Sequence, residues 1–275
     1  MIDFDLLHKK ARHDIRMCLQ SWIEVLKDEL GERIDYVYSK GSSMKNWASP
    51  IDYVPVLSDV DIHILLKDEE DLFLGCKDRF EAAMRFSKRY EDRFFELEPE
   101  PLHFPRSQLV HINPFRTEKW FVMPKVDAVQ PLIGDPKPAK IPSDDTIRQI
   151  DLGNLIDLKE YLHEVVMSAV DRAGIDFWSM IRRMLWRVSP SPVRVITQTY
   201  EDPNSVWNWN RTKICAQLID MGLNEMERLY REFYMAGWRL FISGYTSRND
   251  FRDLAYNGYY LLKECHEYAL NLQNM

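Results

Sequence analysis

Apolar side chains recur every three or four residues at the start of the chain, and this spacing predicts a helix over residues 1–30. Gly31 is the predicted stop, because glycine readily adopts the left-handed backbone that ends many helices. The positions on this apolar face are Leu6, Leu7, Ile15, Leu19, Trp22, Ile23, Leu26 and Leu30. A second helix is predicted over residues 69–95, with an inward face formed by Leu72, Phe73, Phe80, Met84 and Phe94.

Short runs rich in β-branched and aromatic residues predict the strands of a sheet. The first is Ile34–Tyr38, and the second is Val60–Leu66, which is almost wholly apolar on alternate positions. A third strand is predicted over Gln108–Asn113. Two segments are alternatives for a fourth strand, namely Trp120–Met123 and Asp127–Leu132.

The pattern changes after a proline-rich stretch, 134–142, which suits a stiff connector. Beyond it the periodicity is helical throughout, so we predict an α+β domain over residues 1–140 and an all-α helical domain over residues 141–275. Ser143 is the predicted N-cap of the first of these helices. The predicted helical segments are 143–188, 211–221, 224–243 and 248–272.

Composition narrows the class of protein. Hydrophobic residues are 45% and charged residues 29% of the 275, which is typical of a globular chain and not of a disordered one. The net charge of −7 gives no strong sign of broad nucleic-acid binding. No apolar run approaches the ~20 residues that a membrane span needs, and the acidic start is unlike a signal peptide, so we expect a cytoplasmic protein without a membrane partner.

The second strand carries the most informative chemistry. Because side chains alternate between the two faces of a strand, Asp59, Asp61 and His63 share the face opposite the apolar one. Two carboxylates at this spacing repel each other, and a divalent cation between them would offset the repulsion. Hard oxygen ligands favour Mg²⁺ or Mn²⁺, so we predict Asp59 and Asp61 as catalytic, metal-binding residues.

A glycine–serine turn directly follows the first strand. Gly41 allows a tight turn and a close approach to a ligand, and the next N–H groups with the hydroxyl groups of Ser42 and Ser43 can bind phosphate oxygens. A helix starting there would add the positive end of its dipole. A phosphate-binding turn beside a metal-binding pair suits phosphoryl-group transfer from a nucleoside triphosphate.

These two motifs together resemble the signature of the DNA polymerase β-like nucleotidyltransferase superfamily. The resemblance covers about residues 34–66, with Lys40–Ser43 matching the Gly-Ser motif and Ser58–Ile62 matching Asp-x-Asp. It implies a mixed sheet with flanking helices, two metal ions at Asp59 and Asp61, and contacts from Gly41 and Ser42 to the triphosphate. It further implies transfer of a nucleoside monophosphate from a triphosphate such as ATP to a hydroxyl acceptor, which is a small molecule or a macromolecule, with release of pyrophosphate.

The chain departs from the superfamily in two ways. Sixteen residues separate Ser42 from Asp59, a gap longer than is usual there, so we interpret Trp47–Leu57 as an inserted loop. Active members also carry a third carboxylate on a neighbouring strand. The sequence leaves four candidates open for that position: Glu96, Glu98, His111 and Asp127.

The missing third carboxylate motivates an alternative, a catalytically degenerate nucleotidyltransferase fold that acts as a binding or antitoxin-like interaction protein. A metal-dependent glycosyltransferase is a further enzyme class that uses Asp-x-Asp. In the helical domain, Arg182, Arg183 and Arg187 form either a second clamp for the triphosphate or a helix face paired with acids. The segment Trp207–Asn210 suits either stacking on a base or a hydrophobic plug between helices.

Overall fold

A computed structural model of the chain describes residues 2–68, 71–73, 75–118, 121, 123–139, 141–171 and 176–274. The fold is α+β, with a four-stranded mixed sheet, flanking helices and a largely helical C-terminal region, so the predicted fold class is confirmed at this level. Among the described residues, no helix is long and apolar enough to cross a membrane.

The chain divides into two compact units. The first contains the residues up to Lys45 together with Ser58–Ile141. Its strands lie in the order β3-β2-β1-β4, where β1 is antiparallel to both β2 and β4, and β2 is parallel to β3. The elements of this unit are α1 (Phe4–Leu30), β1 (Ile34–Lys40), β2 (Val60–Leu66), α2 (Arg79–Leu97), β3 (Ser107–His111) and β4 (Gln130–Gly134).

Helix α1 begins and ends where local chemistry satisfies its free backbone groups. The Asp3 side chain accepts a hydrogen bond from the Leu6 N–H group at 3.0 Å, which is N-terminal capping. At the other end, Gly31 adopts a φ of +48° and its N–H group bonds the Lys27 carbonyl. The predicted stop at Gly31 is therefore confirmed.

Helix α2 begins ten residues later than predicted, because the Asp78 side chain caps it by accepting from the Glu81 N–H group at 2.9 Å. Its inward face also differs from the prediction. Phe80 and Met84 are exposed, and the buried positions are Ala82, Phe86, Tyr90 and Phe94, spaced four residues apart. The stripe that faces the core therefore follows an i, i+4 spacing that leaves Phe80 and Met84 outside it.

The last two strands also shift from their predicted bounds. Strand β3 ends at His111, since the Asn113 side chain turns back to accept from the Leu66 N–H group at 2.8 Å and to donate to the Leu66 carbonyl at 3.0 Å. Strand β4 overlaps the predicted Asp127–Leu132. Trp120 and Val122, which belong to the other predicted segment, lie outside the described residues.

The second unit contains residues 46–57 and the residues from Pro142 onward. The predicted segment 143–188 is three helices, and two short helices between residues 191 and 206 were not predicted. The elements are α3 (Asp144–Ile156), α4 (Leu158–Asp171), α5 (Asp176–Val188), α6 (Ser191–Thr197), α7 (Pro203–Val206), α8 (Arg211–Asp220), α9 (Asn224–Ile242) and α10 (Arg248–Gln273). The Ser143 side chain accepts from the Thr146 N–H group at 3.3 Å, as predicted for an N-cap.

Residues 46–57 belong to the helical unit, although the sequence predicts them as part of the first domain. The Asp52 carboxylate accepts from the N–H group and the hydroxyl group of Thr212 at 2.8 and 2.7 Å. Buried Arg211 donates to the carbonyls of Ile51 and Asp52, and the Trp238 indole N–H group donates to the Pro50 carbonyl at 2.7 Å. The segment is therefore a buried part of this unit and not a free loop.

Gly237 on α9 is the point where this segment packs most tightly on the helices. A Cβ atom there would lie 2.1 Å from Leu57 Cδ1 and 3.2 Å from Val54 Cγ1, and both neighbours are fully buried. We expect Gly237→Ala to lower the free energy of unfolding by about 1–3 kcal/mol, because the added methyl group overpacks the core. Urea denaturation followed by circular dichroism measures this.

The matched control is Gly153→Ala on α3, where nothing lies within 4 Å of the new atom. This variant should gain about 0.5–1 kcal/mol from reduced backbone entropy in the unfolded chain. Equal stabilisation by both substitutions would show that residues 46–57 do not pack against Gly237.

Candidate functional site

Strands β1 and β2 bring the glycine–serine turn to the Asp-x-Asp motif. In the antiparallel register Lys40 pairs with Asp61, and Gly41 follows directly at the end of β1. Gly41 adopts a φ of +85°, and a Cβ atom there would lie only 2.3 Å from Asp61 Oδ2. Only glycine leaves room for this carboxylate, so Gly41 and Asp61 form one site.

The turn itself is held from two sides. Within the turn, the Met44 N–H group donates to the Gly41 carbonyl at 3.2 Å. Ser42, which follows Gly41 in the chain, is partly exposed. The Arg12 guanidinium on α1 donates to the carbonyls of Ser43 and Lys45 at 3.1 and 2.6 Å. The residues after Gly41 form turns and no α-helix, so any phosphate there would meet turn N–H groups without a helix dipole.

Asp61 interacts electrostatically with two lysines, Lys40 and Lys45. Burial raises the pKa of the Asp61 carboxyl, and the Lys40 and Lys45 ammonium groups oppose that shift. Burial likewise lowers the pKa of Lys40, and the Asp61 carboxylate opposes it. The charges on Asp61 and Lys40 therefore stabilise each other in a partly desolvated place.

Asp59 forms an ion pair with Arg106, which directly precedes β3. Their side chains are 15% and 21% exposed, so salt screens this pair less than a surface pair. Sequence reasoning missed Arg106, although its position beside the third predicted strand was visible. The parallel pairing of β2 with β3, which makes these residues neighbours, was not readable from the sequence.

Cations of the protein thus reduce the repulsion between Asp59 and Asp61, a role that the sequence predicts for a metal ion. Lys40, Lys45 and Arg106 carry more positive charge than Asp59 and Asp61 carry negative charge. A site with this balance attracts an anion more than a bare cation.

His63 continues the same face of β2 but lies deeper in the sheet. Its Nδ1 atom is 3.1 Å from the Tyr38 hydroxyl oxygen, and the two rings are 5.0 Å apart. Burial first, and the nearby Lys40 charge second, lower the pKa of His63 to about 3. The imidazole is therefore neutral at pH 7 and does not add to the positive charge of the site.

The four candidates for a third carboxylate position lie elsewhere or face other partners. Glu96 pairs with Arg93 at 2.8 Å, and Glu98 lies 2.5 Å from His13. Asp127 lies in a 3₁₀ turn before β4, and His111 pairs in register with Ile64, on the apolar side of the sheet. Within the described ranges, no three acidic, histidine or cysteine side chains form a group that could hold a metal ion.

Gln108 is the residue of β3 that lies next to Asp61 on the same face of the sheet. It pairs in register with Asp61 across the β2–β3 ladder, and its side chain is exposed. His111 is therefore not on the site face of β3, because the register places Gln108 there.

The two carboxylates fit a Mg²⁺ or Mn²⁺ ion that arrives with a triphosphate. Mg²⁺ is commonly bound through one or two carboxylates plus substrate phosphates and water, not in a cage of protein ligands. Asp59 and Asp61 can supply that share of the ligands, while the lysines favour the phosphates. The same residues fit poorly to a metal ion alone, because it would add charge to a positive site.

Arg183 and Arg187 in the helical unit have partners within that unit. Arg183 pairs with Glu164, and the Arg187 guanidinium lies 3.9 Å from the centre of the Tyr161 ring. These contacts match the interpretation as a paired helix face.

A buried polar cluster surrounds Asp151 on α3. The Trp207 indole N–H group donates to Asp151 at 3.2 Å, and Arg194 lies 3.6 Å from the same carboxylate.

Trp209 is largely buried and contacts Tyr200 edge to face at 4.7 Å. Trp209 is therefore packed inside this unit, which favours the plug interpretation for this tryptophan.

Comparisons with protein-family models, with curated proteins and with solved structures find no match to this chain. The class of protein that the fold defines is thus an α+β protein with a mixed four-stranded sheet and a helical C-terminal region.

Gly41→Ala tests the close approach of Gly41 to Asp61. We expect it to destabilise the protein by at least about 1 kcal/mol more than Gly75→Ala, because both positions have positive φ but only Gly41 meets a side chain. Thermal unfolding measures both variants. In an Asp61→Ala background the excess should vanish, since the nearest remaining atom would be about 3.9 Å away. An excess that survives in that background would contradict the geometry.

The lowered pKa of His63 predicts a pH dependence of stability. The unfolded chain takes up a proton on His63 below its ordinary pKa of 6.5, while the folded chain stays neutral down to about 3. The contribution of His63 to the free energy of unfolding is therefore present above pH 6.5 and is lost as the pH falls toward 3. In metal-free buffer we expect wild type to lose about 2 kcal/mol relative to His63→Gln between pH 7 and pH 5, measured by urea denaturation. Parallel pH curves would show that His63 is not desolvated by Tyr38 and its other neighbours.

Proposed function

We propose that this chain is a metal-dependent nucleotidyltransferase of the polymerase β-like type. It moves a nucleoside monophosphate from a nucleoside triphosphate to a hydroxyl acceptor and releases pyrophosphate. One observation carries the proposal: Gly41 approaches the Asp61 carboxylate so closely that the glycine–serine turn and the Asp-x-Asp strand form a single site. The mixed sheet with flanking helices supports it.

Each residue of the site has a role in this reaction. Asp59 and Asp61 would hold Mg²⁺ or Mn²⁺, which supplies charge neutralisation at the phosphates. Gly41 and Ser42 would bind the β- and γ-phosphates through N–H groups and the hydroxyl group. The acceptor hydroxyl group loses its proton to solvent as its oxygen bonds to the α-phosphorus, and the bond from that phosphorus to the bridging oxygen breaks as pyrophosphate leaves.

Two lysines also contribute positive charge to the site, although the sequence did not single them out. Lys40 and Lys45 lie on either side of the turn and interact with Asp61. A triphosphate would place further negative charge next to them, and the desolvated Lys40 ammonium would then gain partners. The positive balance of the free site therefore supports binding of an anion such as a nucleoside triphosphate.

Asp61→Asn is the direct test of the transfer reaction. We expect it to reduce transfer by at least about 100-fold, because a group that stabilises charge in the transition state is lost. The assay uses each of the four α-³²P-labelled nucleoside triphosphates with Mg²⁺ or Mn²⁺ and measures label transfer and pyrophosphate release. Its acceptors are a polyol, a single-stranded RNA and protein hydroxyl groups. Asp59→Asn should behave in the same way.

The matched control is Asp92→Asn, which neutralises an exposed carboxylate paired with Lys88 on α2. It should keep wild-type transfer. Undiminished transfer in Asp61→Asn would remove the metal-binding assignment. Binding of a UDP-sugar without binding of any triphosphate would favour a glycosyltransferase instead.

A binding function without catalysis is the second candidate, and the position of Gln108 favours it. Gln108 stands next to Asp61 where a third carboxylate would complete a metal site. Asp59 is also already paired with Arg106. In this case the wild-type protein binds a metal–triphosphate complex, measured by calorimetry, but transfers no label to any acceptor of the panel. A binding or antitoxin-like interaction role would then replace the enzyme.

A further inference from the structure

Arg106 and Asp59 are neighbours across the first rung of the β2–β3 ladder. The Val60 N–H group donates to the Arg106 carbonyl at 3.0 Å, and Val60 pairs in register with Ser107. Asp59 and Arg106 each lie one residue before this pair, so their side chains point to the same face of the sheet. The Arg106 guanidinium therefore contacts the Asp59 carboxylate. The fully buried Val60 and Ser58 fix the backbone on both sides of Asp59.

The pair places a guanidinium on a carboxylate that a metal ion would need. An arginine and a divalent cation compete for the same oxygens, so the ion pair must open before Asp59 can bind the metal. A metal ion alone would have to displace Arg106 from Asp59 and would add positive charge next to the protein cations that interact with the two carboxylates. A metal–triphosphate complex brings net negative charge, and a released guanidinium can bind phosphate oxygens through two parallel hydrogen bonds.

We infer that Arg106 is a built-in counter-ion that keeps Asp59 from binding a divalent cation until a nucleoside triphosphate arrives with it. On arrival, the guanidinium exchanges the Asp59 carboxylate for a phosphate group of the nucleotide. Arg106 thus makes metal binding conditional on nucleotide binding. This inference rests on the proposed function of the Asp59–Asp61 site.

The test is direct binding of Mn²⁺ to the full chain, followed by electron paramagnetic resonance, first alone and then with a non-hydrolysable ATP analogue. Arg106→Gln removes the charge and keeps much of the side-chain length. We expect it to bind Mn²⁺ alone about tenfold tighter than wild type, since a close positive charge is gone. Binding of the Mn²⁺–nucleotide complex should weaken, because a phosphate contact is lost.

Three variants serve as controls. Arg106→Lys keeps the charge and should restore weak binding of Mn²⁺ alone. Arg79→Gln removes an exposed arginine that pairs with Asp71 on the same unit, and it should change neither affinity. Asp59→Asn in the Arg106→Gln background should abolish the gained Mn²⁺ binding, which places the ion at Asp59.

The outcomes separate this inference from the proposed function. If wild type binds no Mn²⁺–nucleotide complex, the proposed function fails and the inference fails with it. If wild type binds the complex but Arg106→Gln leaves the affinity for Mn²⁺ alone unchanged, the counter-ion role is wrong while the proposed function stands. If Arg106→Gln tightens Mn²⁺ alone and also tightens the complex, the exchange onto phosphate is overturned.

Discussion

The alternation of side chains along β2 is the constraint on which the site depends. β2 is hydrogen-bonded on both edges, and Val60, Ile62, Ile64 and Leu66 on one face are fully buried. Because a strand repeats every two residues, burial of that face fixes the carboxylates on the other. A shift by one residue would put charged groups into the core, which is far too costly without partners. The hydrophobic core therefore positions the acidic residues.

Local pattern was enough to predict the elements that meet at this site. The period of two in β2 and the glycine after β1 depend on neighbouring residues alone, and the structure places Gly41 against Asp61. Strand register is different, because a slip of one residue exchanges the faces of β3. That is why the sequence pointed to His111 where the structure has Gln108. The Asp59–Arg106 pair depends on the same long-range register and was equally hidden.

Charge gives the site a character that the two carboxylates alone do not suggest. Asp61 lies beside Lys40 and Lys45, and Asp59 contacts Arg106, so both acids of the motif are matched by bases. Partly buried ion pairs cost desolvation energy that a more apolar surface would avoid. Several such pairs on one face, with pKa values shifted by burial and by neighbouring charges, are more typical of functional sites than of surfaces selected for stability.

Residues 46–57 have a consequence for how the molecule is made. Their partner Arg211 lies 160 positions after Ile51, and Trp238 lies 188 positions after Pro50. At ribosomal speeds of about 5–20 residues per second, this segment waits roughly 8–38 s for the helices that cover it. During that interval the apolar Ile51, Tyr53 and Val54 side chains lack their native partners on α8 and α9. The nascent chain is therefore most exposed to aggregation and to chaperone capture while the helical region is still being translated.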